Sequence, residues 1–192
     1  MRIGVLALQG SFHEHLTILK QLGVEGRAVR LPAHLDGLDG LIIPGGESTT
    51  IGKLAVDFQL LEPLRAFCQS HAAWGTCAGA IFLAKEVHTQ QPVLGLMEIS
   101  IARNAFGPQV NSFETSLDIP ALLEVEPEAR PFPGVFIRAP LIEAVHSTAR
   151  ALACLPNGQI VAAQQGKLLA TSFHPELTRD NRLHRYFLSL AQ

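Results

Sequence analysis

The sequence predicts an α/β domain of three layers, whose sheet is parallel at its centre and gains antiparallel strands later. Three observations carry that expectation. Short apolar runs alternate with amphipathic stretches through the first half, as in successive βαβ units. Turn signals crowd the second half: Phe106-Gly107-Pro108, Pro131-Phe132-Pro133-Gly134, Pro156-Asn157-Gly158 and Gln165-Gly166-Lys167. The chain has 192 residues, enough for one domain, and no linker divides it, so residues 1–192 read as a single domain.

Ile3 to Leu8 reads as a fully buried first strand, because it is apolar without alternation. A helix follows over residues 12–22, with Leu16, Leu19 and Leu22 at helical spacing and Gly23 as its stop. Val24 to Leu31 suits a second strand, and Leu38, Leu41, Ile42 and Ile43 a third, ended by Pro44-Gly45-Gly46. A helix around Leu60 to Ser70 precedes a short fourth strand at Ala72-Ala73-Trp74-Gly75, and Cys77 to Leu83 opens the next helix. Residues 149–155, 159–163 and 168–172 form a meander with Asn157-Gly158 as a tight turn, and a helix over 180–190 closes the chain.

Composition narrows the function classes. Fifteen Lys and Arg against seventeen Asp and Glu leave a net charge of −2, which argues against a protein held to nucleic acid or an anionic membrane by charge. Hydrophobic residues make up 47%, with mean hydropathy of +0.23, yet no apolar run approaches the ~20 residues that span a bilayer. The N-terminal run is too short for a signal segment and no small-residue cleavage site follows it, so a cytoplasmic protein is expected. Three cysteines without a C-x-x-C pair rule out a disulfide framework or a Cys-rich zinc site, and leave one reactive thiol open.

That thiol is best placed at Cys77. Gly75-Thr76-Cys77-Ala78-Gly79 has the form G-x-nucleophile-x-G where a strand should meet a helix; so sharp a turn needs small residues on both sides. The same run also suits a buried structural cysteine; Cys68 and Cys154 lie in apolar patterns and read as core. A thiol nucleophile needs a base and an orienting group. Most of the eight histidines read as solvated or capping, but His174-Pro175-Glu176 follows the last strand, and in an extended segment Glu176 faces the same way as His174. Pro44-Gly45-Gly46-Glu47-Ser48 lets backbone approach a ligand, and an N–H there could join that of Ala78 in an oxyanion hole. A phosphate-loop reading through Gly52-Lys53 fails on spacing and on Leu54, which stands where a hydroxyl is required. Arg103 and Arg138 are candidates for pairing with a substrate carboxylate.

Taken together, these stretches resemble one family over nearly the whole chain: the glutaminase subunits of pyridoxal 5′-phosphate synthase, triad-type class I glutamine amidotransferases. The resemblance rests on Leu6-Ala7-Leu8-Gln9-Gly10, Pro44-Gly45-Gly46-Glu47-Ser48-Thr49-Thr50, Gly75 to Gly79, Arg103-Asn104-Ala105-Phe106-Gly107, Val135-Phe136-Ile137-Arg138-Ala139-Pro140 and Ser172-Phe173-His174-Pro175-Glu176-Leu177. Pro108 departs from it, standing where a basic residue is expected. The resemblance implies a flavodoxin-like fold and hydrolysis of L-glutamine to glutamate and ammonia. It makes Cys77 the nucleophile, His174 the base and acid, and Glu176 its orienter. Gly46, Glu47, Ser48, Arg103, Ile137 and Arg138 would hold glutamine, Gly46 and Ala78 would donate to the oxyanion, and Gln9-Gly10 would help arrange the site when a partner docks. That partner would be the synthase subunit, a (β/α)₈ barrel that combines the ammonia with a pentose phosphate and a triose phosphate. Neither a cofactor nor a metal is implied.

Two other readings stay open on the residues alone. One is a thiol hydrolase of another class on a related fold, and the other a binding module whose Cys-His-Glu set is a remnant.

Overall fold

The computed structural model describes residues 1–103, 112–128 and 130–192. The Asn104-Ala105-Phe106-Gly107 stretch and Pro108 lie outside the described residues. The chain runs β1 (Arg2–Leu6), α1 (Phe12–Gln21), β2 (Glu25–Val29), β3 (Gly40–Ile43), α2 (Ser48–Asp57), α3 (Leu61–Ser70), β4 (Ala72–Thr76) and α4 (Ala78–Leu83). It continues through β5 (Ala84–Val87), β6 (Met97–Ala102), β7 (Ser112–Leu117), β8 (Phe132–Ile137), β9 (Leu141–Val145), β10 (Arg150–Cys154), β11 (Ile160–Gln165), β12 (Leu168–Thr171) and α5 (Arg182–Leu190).

The strands order as β2-β1-β3-β4-β12-β11-β9-β6-β5, with β10 on β11. Pairing is parallel from β2 to β12 and antiparallel from β12 to β6, so the sheet is mixed, as the sequence predicts. β7 and β8 form a separate antiparallel ribbon. Alternation along the central strands divides the core. Leu41, Ile43 and Ala73 face α2, α3 and α4, whereas Ile42, Ala72 and Trp74 face α1, α5 and the ribbon. Burial on both faces explains why β1, β3 and β4 read as continuous apolar runs.

α2 has no counterpart in the pattern read from sequence. Glu47 caps it: Oε1 accepts from the Thr49 N–H at 3.1 Å and Oε2 from the Thr50 N–H at 2.7 Å. Gly52, which invites the phosphate-loop reading, sits inside this helix, where a Cβ would lie 2.4 Å from the Pro92 carbonyl oxygen. β5 to β9 are likewise unread in the sequence: each is only four to six residues long, and none is buried along its whole length as β3 and β4 are. Cys154 corrects an expectation. It is exposed, because β10 pairs with β11 on one side and turns Ala153 inward, leaving its neighbour outside.

β4 meets α4 at Cys77, whose φ is 49° and ψ is −108°. That left-handed region costs a non-glycine residue of order 1–3 kcal/mol and persists only where the surroundings enforce it. Here they do. A Cβ on Gly75 would lie 2.3 Å from the Gly79 carbonyl oxygen, and one on Gly79 would lie 1.9 Å from that of Ile43. Gly79→Ala sets two effects against each other. Alanine gains about 1 kcal/mol of helix propensity, but backbone atoms of β3 cannot yield to the new methyl, and overpacking costs about 1–3 kcal/mol. We expect a net loss of stability, read as a lower urea midpoint. An unchanged or raised midpoint would show that the elbow is not sterically closed.

Candidate active site

The parallel pairing brings four strand ends to one edge. β1 delivers Gln9 and Gly10, β3 delivers Gly45 and Gly46, β4 delivers Cys77, and β12 delivers His174. Ligands of open α/β sheets bind beyond the C-terminal ends of such strands. A cavity of about 440 Å³ opens there, within the range usual for small-molecule sites. Gln9, Gly10, Gly46, Glu47, Ser48, Cys77, Ala78, Arg103, Ile137, Arg138 and His174 all line it. Of the residues singled out in the sequence, Glu176 alone stands back, behind the His174 ring.

Register brings Cys77 and His174 to the same edge. Thr76 of β4 lies opposite Thr171 of β12, and the Cys77 N–H donates to the Thr171 carbonyl at 2.8 Å. His174 is held from the other side by its N–H on the Val135 carbonyl, 2.8 Å away. Its Nδ1 meets Glu176 Oε1 at 2.8 Å, which leaves the other ring nitrogen for the neighbouring Cys77 side chain. The sequence argument for Glu176 assumes an extended segment. Instead, residues Pro175–Leu177 form a 3₁₀ turn, and Glu176 reaches the ring by folding back over it.

The charges follow from this geometry. Burial lowers the His174 pKa, but its bonds to Cys77 and Glu176 outweigh burial and bring the value up to about 10. Burial raises Glu176, yet the bond from His174, the charge of His174 and a 2.6 Å bond from Ser11 Oγ leave it at about 2. At neutral pH the pair is therefore imidazolium and carboxylate, facing a sulfur. Burial raises the Cys68 thiol to about 12, which makes it inert.

Ser11, His15 and His184 are missed by the sequence reading. Ser11 precedes α1 but makes no side-chain cap, because its hydroxyl goes to Glu176. His15 and His184 contradict the expectation of solvated histidines, since both are 0% exposed. The available signal was position: His15 shares the buried face of α1 with Ile18 and Leu19, and His184 lies in the core-facing run of α5 with Leu183 and Phe187.

The far wall of the cavity is polar. Arg103 donates to Glu47 Oε1 and to Thr49 Oγ1, each at 2.9 Å, so its guanidinium is fixed by α2. Gln9 Oε1 accepts from the Glu47 N–H at 2.7 Å, and its carboxamide presses on Gly46, where a Cβ would be 2.2 Å away. Ser48 is buried and donates to Gln91 at 3.2 Å. Ile137 and Arg138 leave the end of β8, and Arg138 takes a φ of 43°, a second strained non-glycine residue at this edge. Among the described residues no group of His, Cys, Asp and Glu could hold a metal ion, and no helix is long and apolar enough to cross a membrane.

Comparison with known proteins places this architecture. The family model described as the SNO glutamine amidotransferase family matches residues 5–191. The chain is 55% identical over 196 residues to a pyridoxal 5′-phosphate synthase subunit PdxT of Chloroflexus aggregans, covering 99% of this chain and 100% of that protein. It is 57% identical over 195 residues to the protein of that name from Herpetosiphon aurantiacus, with the same coverage. A crystal structure of a glutamine amidotransferase superposes with a TM-score of 0.91 at 52% identity, covering 98% of each chain.

The His174 imidazole should titrate far above 6.5 when followed by NMR of ring-labelled protein. Glu176→Gln removes one source of the rise and Cys77→Ala another, so each should bring the value down. Titration near 6.5 in all three proteins would contradict the coupled site. The sign for stability follows. A proton bound more tightly in the folded state adds stability that is complete below about 6.5 and is lost as pH rises through about 10.

Proposed function

The chain belongs to the SNO glutamine amidotransferase family, and we propose that it is the single-domain glutaminase subunit of a pyridoxal 5′-phosphate synthase. It hydrolyses L-glutamine to L-glutamate and ammonia and supplies the ammonia to the synthase subunit. The observation that carries this reading is a cysteine on a strained elbow, beside a buried His–Glu pair at the edge of a polar cavity, in a chain of that family. Three free cysteines fit a reducing, cytoplasmic setting.

The chemistry follows acyl-transfer logic. The Cys77 sulfur attacks the carbonyl carbon of the substrate's side-chain amide, and the C–S bond forms as the carbonyl oxygen gains charge. The N–H groups of Gly46 and Ala78 receive that oxygen, with Gln9-Gly10 setting the loop when the synthase docks. His174 gives its proton to the leaving nitrogen, the C–N bond breaks and ammonia departs. A water molecule, deprotonated by His174, then cleaves the γ-glutamyl thioester and releases glutamate and the free thiol. Glu176 transfers no proton; it fixes the ring and stabilises its charge. Arg103, anchored by Glu47, offers its remaining N–H donors to the substrate's α-carboxylate, while Ser48, Ile137 and Arg138 complete the walls.

Cys77→Ala should abolish glutaminase turnover in the complex with the synthase barrel while leaving fold and complex intact. An electrophilic glutamine analogue should label Cys77 and spare both Cys68, which is buried, and Cys154, which is exposed but does not line the cavity. Turnover by Cys77→Ala, or equal labelling of Cys77 and Cys154, would overturn the assignment. Turnover per Cys77 should also rise when the barrel docks; equal rates with and without it would remove the gating at Gln9-Gly10.

A further inference from the structure

Behind Glu176, on the side away from the cavity, the two buried histidines meet. His15 Nδ1 and His184 Nε2 are 2.9 Å apart, and His15 Nε2 lies 3.5 Å from Glu176 Oε2. Trp74 closes the space edge-on to both rings, with centroids 5.7 and 4.9 Å away. Ser11 and His174 both use Glu176 Oε1; Oε2 and the His15 Nε2 that lies 3.5 Å from it are both buried and make no hydrogen bond among the described residues. A core that needed only volume here would hold apolar side chains, since buried polar atoms are costly unless paired.

The proton arrangement is determined by what each atom faces. Burial lowers the His15 pKa, with His174 adding to that effect while Glu176 and Glu14 oppose it, and burial holds His184 well below the usual histidine value. Both rings are therefore neutral, with one N–H and one lone pair each. If His15 carried its proton on Nδ1, a lone pair would point at a carboxylate oxygen. With the proton on Nε2, the positive end of the N–H dipole is on the side of Glu176 Oε2, 3.5 Å away, and Nδ1 accepts from the N–H of His184 at 2.9 Å.

We infer that His15 and His184 are positioning residues: a neutral relay that holds the second oxygen of Glu176 from behind and keeps the first on His174. The inference rests on the proposed Cys77–His174–Glu176 site. Neutrality matters, because an imidazolium at His15 would compete with His174 for the same carboxylate. A fixed N–H stabilises the Glu176 charge and leaves His174 as the cation bound to it. Loss of that donor makes Glu176 easier to protonate and looser, so the imidazolium facing Cys77 is weakened at the acid end.

The test compares His15→Gln with His15→Asn, in the complex with the synthase barrel. A glutamine places an amide N–H near the position of His Nε2, within reach of Glu176. An asparagine reaches only the Nδ1 position and keeps the link to His184. His15→Asn should lower kcat roughly tenfold, as loss of outer partners of functional histidines does (about 10–100-fold), with KM for glutamine unchanged. The acid limb of Cys77 alkylation by iodoacetamide, measured in a Cys154→Ser background, should move to higher pH. His15→Gln should stay near the parent in both. The same pair at His184 gives an independent answer, Gln again preserving and Asn losing the donor that sets the His15 tautomer. Equal behaviour of Gln and Asn at both positions, or an unmoved acid limb in the Asn variants, would overturn the relay and leave a packing role. Turnover by Cys77→Ala would overturn the proposed function instead, so the two failures are distinguishable.

Discussion

The hydrogen bond from the Cys77 N–H to the Thr171 carbonyl, 2.8 Å long, continues the ladder of β4 and β12 to the residue where the chain turns. Trp74 adds a second tie one layer down, its Nε1–H donating to Thr171 Oγ1 at 3.2 Å. Two strands almost a hundred residues apart in sequence thus end at the same height. The proposed nucleophile and base are set by sheet register, which is rigid, rather than by loop conformation. Gly75 and Gly79 admit the turn, and the close packing around them leaves Cys77 no alternative to its strained backbone.

The electrostatics depend on that placement. Desolvation opposes charge on both His174 and Glu176, and in both it is the largest single influence. The pair is nonetheless ionised, since each group offers the other a short bond and an opposite charge, and Cys77 and Ser11 add further bonds. A buried pair of this kind is poor evidence for stability, because apolar side chains would fill the same space at lower cost. The proposed chemistry at the cavity accounts for a charged pair at this place. Glu47 is a milder case. Burial raises it, but bonds from Thr50 and Thr49 take it to about 2, so the residue that caps α2 also anchors Arg103 as a permanent anion.

Much of this arrangement is legible in the sequence, and the parts that are not have physical reasons. β1, β3, β4 and β12 are apolar throughout because both faces are covered, so they stand out. α2 does not: it opens with Ser-Thr-Thr and contains Gly52, all weak helix formers, and it is made by the Glu47 cap and by packing under Pro92. The His174–Glu176 contact is anticipated, but through the wrong backbone. An i, i+2 argument supposes a strand, and the proline that follows His174 instead begins a 3₁₀ turn. Cys154 and the two core histidines show the limit of reading residue type without neighbours. An edge strand turned the one outward, and helix faces fixed by tertiary packing took the others in.

The central claim is that His174 and Glu176 act on Cys77 as one unit, and a double-mutant cycle on glutaminase turnover in the synthase complex tests it most directly. In the proposed mechanism His174 moves protons in both halves of the reaction, so His174→Ala should cost at least the ~10²–10⁴-fold of general acid–base catalysis. Glu176→Gln keeps an acceptor but loses the charge, and should cost less. Because Glu176 works only through His174, the double variant should be little worse than His174→Ala alone. A double loss equal to the product of the two single losses would show that the residues act independently, and would contradict the account even if Cys77 remained the nucleophile.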